Sequence, residues 1–139
     1  MKCKQVLFLC TGNSCRSQMA EAIVNDKLGT AWIAYSAGTK PAGYVHPLAL
    51  RSLKEIGILH NGKYKNVNDF IKEDFDLVVT VCDSAAEECP LWLRPGEKVH
   101  KDFPDPAKAV GNETHVMNEF RGVRNAIQEQ VPQLLATNT

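Results

Sequence analysis

The sequence predicts a small α/β domain: a doubly wound, four-stranded parallel sheet flanked by helices, with residues 1–139 forming one unit. Apolar runs of strand length alternate with segments whose apolar residues recur every three or four positions. QVLFL (5–9) is an uninterrupted apolar run, the pattern of a strand buried on both faces, and FDLVVTVC (75–82) is the clearest buried strand in the chain. A chain of 139 residues with 44% hydrophobic content is one-domain sized and able to bury a core without disulfide staples.

The elements follow in order. After the strand at 5–9, residues 16–28 place Met19, Ala20, Ile23, Val24 and Leu28 on one side of a helix that Gly29 stops. AWIAYSAG (31–38) reads as the second strand. His46-Pro47 opens a helix with Leu48, Leu50, Leu53 and Ile56 as its apolar positions, with Pro47 in the first turn and Gly57 at the stop. Residues 59–70 are polar and irregular, and 75–82 is the third strand. Asp83 and Ser84 are capping types for a short segment that Pro90 ends, and Trp92 and Leu93 read as core. KVHKDF (98–103) is the fourth strand and runs into Pro104-Asp105-Pro106. The last helix is expected over about 113–136, interrupted or ended by Pro132. Cys10, Cys82 and Asp105 all fall just past predicted strand ends, where ligands bind in such folds.

Sixteen basic residues balance sixteen acidic ones, which gives no reason to expect a nucleic-acid or membrane partner. The apolar run near the N-terminus is too short for a signal-peptide core or a membrane span, so a cytoplasmic location is expected. Five cysteines, an odd number, argue against a disulfide framework, and their spacings are not those of a structural zinc clasp. No metal is expected.

The chemistry concentrates in CTGNSCRS, residues 10–17. A strand-to-helix loop of this kind can turn successive backbone N–H groups inward as a nest for an oxyanion, and the helix beginning near Arg16 adds the positive end of its dipole. Gly12 and Asn13 tolerate left-handed backbone angles. Arg16 can fork two hydrogen bonds onto a tetrahedral anion, and Ser17 can donate to the Cys10 sulfur. These features stabilise negative charge at Cys10, so a nucleophilic thiolate is expected there. Thr11, Gly12, Asn13, Ser14, Cys15, Arg16 and Ser17 are the expected oxyanion-binding residues. Asp105, its backbone set by flanking prolines and its side chain free of a tether, is the expected proton donor to the leaving oxygen.

Together CTGNSCRS, SAG (36–38), FDLVVTVC and FPDP (103–106) resemble the low-molecular-weight protein tyrosine phosphatases and the arsenate reductases built on the same fold. The resemblance covers nearly the whole chain. Cys10, Arg16 and Asp105 are shared by both branches, and Cys15 does not separate them. Two features favour the reductase. Pro106 is followed by Ala107-Lys108-Ala109-Val110, with nothing to stack on an aryl phosphate, where the phosphatases carry aromatic residues. Cys82 and Cys89 match the cysteine pair of the thioredoxin-coupled arsenate reductases.

The resemblance implies a relay. Cys10 attacks arsenate with help from Asp105, Cys82 attacks Cys10 as arsenite leaves, and Cys89 attacks Cys82. Thioredoxin or another dithiol then reduces the Cys82–Cys89 disulfide, and no bound cofactor is needed. In helical geometry residues 82 and 89 would lie about 10.5 Å apart along the axis. A disulfide tolerates Cα separations only up to about 7 Å, so the segment between them must rearrange. Some relatives bind potassium behind the loop, through ligands that correspond to Asn13, Glu21 and Ser36 and an acid in the segment after residue 60. In this chain Lys63 and Lys65 stand near that place, and a lysine could supply the charge itself. Cys15 is open between a backup thiol and a buried loop residue. A phosphatase acting on phosphomonoesters and a redox or oxyanion sensor are the competing readings.

Overall fold

A computed structural model describes residues 3–70, 72–82 and 97–137. The segment 83–96 lies outside the described residues, and with it the expectations for the Asp83 and Ser84 cap, Cys89, Trp92 and Leu93. The chain runs β1 (Lys4–Cys10), α1 (Arg16–Lys27), β2 (Trp32–Gly38), α2 (Pro47–Glu55), β3 (Leu77–Thr80), β4 (Glu97–His100) and α3 (Glu113–Thr137). Short 3₁₀ turns stand at Val67–Phe70 and Pro106–Lys108. Among the described residues no helix is long and apolar enough to cross a membrane.

The strands form one parallel sheet in the order β2-β1-β3-β4. β1 pairs with β2 from Lys4↔Trp32 to Cys10↔Gly38 and with β3 from Val6↔Leu77 to Leu9↔Thr80. Val6 through Cys10 are all buried, so both faces of the sheet are covered at its centre, as the unbroken apolar run predicts. After β1 the chain builds outward first to β2, then returns to β3 on the other side. The crevice at the C-terminal ends of β1 and β3 is therefore a topological switch point, the usual place for a ligand in such a sheet. Cys10 ends β1, and Cys82 lies two residues beyond β3.

Three features depart from the sequence reading, and a fourth adds to it. β3 and β4 are shorter than 75–82 and 98–103, but backbone bonds from Val81 N to Leu9 O (2.8 Å) and Lys101 N to Thr80 O (2.8 Å) carry the chain onward beside the sheet. α1 is not one-sided: every residue from Ser17 to Val24 is buried, including Gln18 and Glu21. Its polar side chains have partners in the loops beneath it, so burial does not leave them unpaired. Pro132 neither interrupts nor ends α3, which runs on to Thr137 with Val131 and Leu135 in the core. A proline this late in a helix loses one hydrogen bond, while apolar burial on both sides holds the last turn in place. The polar segment 59–70 is also ordered: Gly38 N donates to Lys65 O (2.8 Å), and Phe70 packs edge-on against Tyr35 and Phe75.

Candidate active site

The loop after β1 is shaped from outside. Residues 39–46 run alongside it and donate to its carbonyls: Thr39 N to Cys10 O (3.3 Å), Lys40 N to Thr11 O (2.9 Å), Ala42 N to Gly12 O (2.9 Å) and His46 N to Ser14 O (3.0 Å). Gln18 Nε2 takes the Asn13 carbonyl (3.2 Å), and Met19 N takes that of Cys15 (2.9 Å). Six consecutive carbonyls are thereby turned away from the loop's interior, which leaves the amides to face inward. Among the described residues the N–H groups of Gly12, Ser14 and Cys15 have no acceptor. α1 begins at Arg16 without a side-chain cap, so its first amides add to the same concavity. Asn13 takes the left-handed angle (φ 50°); Gly12 does not, which corrects that part of the sequence reading. Gly38 lets β2 approach: a Cβ there would stand 2.6 Å from Thr11 O.

Cys10 is buried, and two donors aim at its sulfur. Asn13 N lies 3.2 Å from Sγ and Ser17 Oγ lies 2.8 Å away. Asn13 Nδ2 donates to Ser17 Oγ (2.8 Å), which directs the serine's own proton onto the sulfur. Two donors on one sulfur suit an anion better than a thiol.

Arg16 reaches across the mouth to the loop after β4. Its Nη1 donates to Phe103 O (3.0 Å), and Nη2 lies 3.6 Å from Asp105 Oδ2. Asp105 is tethered, contrary to the sequence expectation: its Oδ1 accepts from Ala107 N (3.0 Å) and caps the 3₁₀ turn. One Asp105 carboxylate oxygen is anchored in this way and the other faces Arg16. Cys82 comes to the same mouth. Its sulfur lies 3.5 Å from Thr11 Oγ1, and both residues line the cavity that Arg16 and Asp105 also border.

Cys15 is buried, and its thiol is pushed up to about 12, chiefly by desolvation and then by the charges of Asp105 and Cys10. Burial at this place in the loop favours the protonated thiol.

Beneath the loop lies a polar cluster that the sequence reading caught only in part. Ser36 Oγ donates to Glu21 Oε1 (3.1 Å), and Lys65 Nζ stands 3.5 Å from the same oxygen. Lys65 N also donates to Asn13 Oδ1 (2.7 Å). Glu21 thus has the Lys65 ammonium beside it, so a cation's charge is already supplied where the resemblance would set a potassium ion. Burial raises the Glu21 carboxyl, while the Lys65 charge and the Ser36 hydrogen bond pull it back down. Gln18 and His60 complete the cluster and went unrecognised. The available signal was weak: Ser17, Gln18 and Glu21 share one face of the helix, which an ordinary amphipathic helix would expose.

A second, smaller cavity of about 160 Å³ is lined by Cys10 and shares Gly12, Arg16 and Asp105 with the first. Tyr44, His46 and Ala107 line it together with Cys10. His46 caps α2, its Nδ1 accepting from Leu48 N (3.1 Å), and its ring packs on Phe120. The aromatic wall missing after Pro106 is therefore supplied by the strap at 39–46, whose fold-back residue spacing cannot reveal.

Residues 5–138 match the family described as low molecular weight phosphotyrosine protein phosphatase. An arsenate reductase of Halalkalibacterium halodurans is 43% identical over 132 residues, covering 94% of each chain. Among solved structures, an arsenate reductase in its oxidized state superposes with a TM-score of 0.80 at 28% identity, over 98% of this chain and 99% of that one. The low molecular weight protein tyrosine phosphatase of T. tengcongensis gives 0.79 at 26% identity, over 96% and 99%. The fold is common to both activities, and the match over nearly every residue, with the nest built at the end of β1, makes the chain a member of the low molecular weight phosphotyrosine protein phosphatase family.

Proposed function

We propose that this chain reduces arsenate to arsenite, with Cys10, Cys82 and Cys89 as the thiols of a relay, Arg16 and Asp105 assisting, and thioredoxin as the external dithiol. The backbone amides of residues 11–17 and the Arg16 guanidinium hold the oxyanion. The Cys10 sulfur attacks arsenic, and Asp105 gives a proton to the departing hydroxyl, which leaves as water. The Cys82 thiolate then attacks the Cys10 sulfur. The sulfur–arsenic bond breaks, its electron pair goes to arsenic, and arsenite departs from a Cys10–Cys82 disulfide. Cys89 attacks Cys82 and frees Cys10, and thioredoxin reduces the Cys82–Cys89 bond. Such a cycle belongs in the reducing cytoplasm.

The observation that supports the reductase over a simple esterase is the contact between Thr11 Oγ1 and Cys82 Sγ at 3.5 Å. It sets a second thiol at the rim of the oxyanion loop, where phosphoester hydrolysis has no use for one. The high identity to proteins named arsenate reductase points the same way. The test is arsenate-dependent oxidation of NADPH in the presence of thioredoxin and its reductase. Activity is expected in the unaltered chain and not in Cys82→Ser. Cys89→Ser should complete one turnover and stop as a Cys10–Cys82 disulfide; continued turnover would exclude the relay.

The second reading, hydrolysis of phosphomonoesters through a Cys10 phosphoenzyme, is favoured by the smaller cavity, whose lining sets the aromatic ring of Tyr44 in the same space as Cys10. Hydrolysis of an aryl phosphate by Cys82→Ser at the unaltered rate would show that this chemistry is independent of the relay.

A further inference from the structure

The hydrogen bonds on Cys10 do not stop at Asn13 and Ser17. Gln18, fully buried on α1, places its Nε2 within reach of Asn13 Oδ1 (3.0 Å), Asn13 O (3.2 Å) and Lys63 O (2.9 Å). Its Oε1 faces His60 Nε2 at 2.8 Å. The amide cannot be turned over, because its oxygen would then meet three acceptors. An amide oxygen only accepts, so His60 must donate, and its proton must sit on Nε2. Each later polarity follows. Gln18 and the Lys65 amide both donate to Asn13 Oδ1, so Asn13 presents its Nδ2 to Ser17, and Ser17 gives its proton to Cys10.

We propose that His60 is a positioning residue for the Cys10 nucleophile, acting through Gln18, Asn13 and Ser17, and that Gly62 is its obligatory companion. A Cβ added at Gly62 would collide with the His60 ring nitrogen and with Gln18 Oε1, so the imidazole occupies the space a side chain at 62 would need. The charged groups facing His60 are Glu21 from α1, with Oε2 at 3.6 Å from Nε2, and Lys65 from its own segment. Burial and the Lys65 charge lower the imidazole's proton affinity, so it serves as a neutral donor. The proposal rests on Cys10 as the nucleophile, and it holds for arsenate reduction and phosphate ester hydrolysis alike.

The test reads Cys10 directly: its alkylation by iodoacetamide, followed on the Cys10 peptide by mass spectrometry across a pH series. His60→Ala should slow alkylation at neutral pH by about fivefold, the size of one aligned hydrogen bond, and move the profile to higher pH. His60→Gln, which can still donate to Gln18, should keep the unaltered rate. Gly62→Ala should behave like His60→Ala, and the double variant should be no slower than either. A His60→Ala profile matching the unaltered chain, a His60→Gln rate as low as that of His60→Ala, or additive losses in the double variant would overturn the proposal. The unaltered chain gives a check that needs no variant to fold: ¹⁵N shifts of His60 should report the Nε2–H tautomer, and an Nδ1–H tautomer would refute it. Arsenate turnover enters none of these readouts, so failure of the reductase reading leaves their outcome unchanged.

Discussion

Asn13 Nδ2 donates to Ser17 Oγ at 2.8 Å, and Cys10 Sγ lies 2.8 Å from the same oxygen. Because the serine oxygen already accepts from asparagine, its hydroxyl is free to do one thing, which is to donate to sulfur. Ser17→Ala should therefore slow Cys10 alkylation at neutral pH about tenfold, the scale of a lost hydrogen bond to a charged group. It should lower kcat for arsenate with KM changed little, since Ser17 points at sulfur and not at the oxyanion. Alkylation kinetics and steady-state rates check both halves.

Arg16 Nη2 lies 3.6 Å from Asp105 Oδ2, so the guanidinium is shared between the acid and any incoming anion. Asp105→Asn should lower kcat by at least about a hundredfold through loss of the proton donor. Phosphate should bind no more weakly, and slightly more tightly, because a competing negative charge is gone. Calorimetric titration with phosphate separates the two effects; weaker binding would show that Asp105 contributes to holding the oxyanion.

Lys65 Nζ neutralises Glu21 from 3.5 Å, with the lysine side chain about a quarter exposed (27%) and the glutamate buried. Lys65→Met should cost about 1–3 kcal/mol, less than breaking a fully buried pair. The stability of the unaltered chain should be the same in potassium and choline salts. Lys65→Asp, which replaces the ammonium beside Glu21 with a second acid, should be stabilised by potassium and not by choline. Thermal unfolding in the two salts measures this.

Cys15 has a thiol near 12, so it stays protonated throughout the range in which Cys10 would react. Cys15 should be the slower of the two loop cysteines to alkylate at neutral pH, and Cys15→Ala should keep most of the arsenate activity. Peptide-resolved alkylation decides the order; faster modification of Cys15 would contradict it.

His46 caps α2 with Nδ1 as the acceptor, so the cap needs the neutral ring. Burial lowers its proton affinity in the fold, against a smaller opposing pull from Asp105. A histidine with a lowered folded pKa is protonated first in the unfolded chain. Its contribution is then complete above the ordinary histidine range, about 6.5, and is lost as pH falls through it. Stability should drop between about pH 7 and 5, and His46→Asn, which keeps a capping acceptor without a titrating group, should remove that part of the slope. His46→Ala should cost about 1 kcal/mol at neutral pH. Unfolding at a series of pH values compares the three chains.

Much of the fold was legible in particular runs of residues. VLFL (6–9) has no polar break and LVV (77–79) is apolar between Asp76 and Thr80, so the buried strands β1 and β3 could be read directly. The helix after Cys10 was read in the right place with the wrong surroundings. Ser17, Gln18 and Glu21 look like a solvent face, and their burial depends on residues 36, 60 and 65 arriving from elsewhere. Pro132 misled for a related reason: a local breaker was overruled by core packing at Val131 and Leu135.

By itself the order of residues determined the chemistry proposed for the loop, because Cys10, the small turn residues and Arg16 lie within one short stretch whose shape depends on local backbone geometry. It also determined the parallel α/β architecture, since apolar periodicity is a local property. Tertiary structure alone decided what surrounds that loop. The strap at 39–46 turns six carbonyls outward together with Gln18 and Met19, Thr11 meets Cys82 across 71 residues of chain, and His60 reaches Gln18 across 42. These contacts join segments with no shared sequence pattern. Hydrogen-bond partners are chosen by the geometry of the folded chain, and that geometry exists only once the sheet has set the spacing of its strand ends.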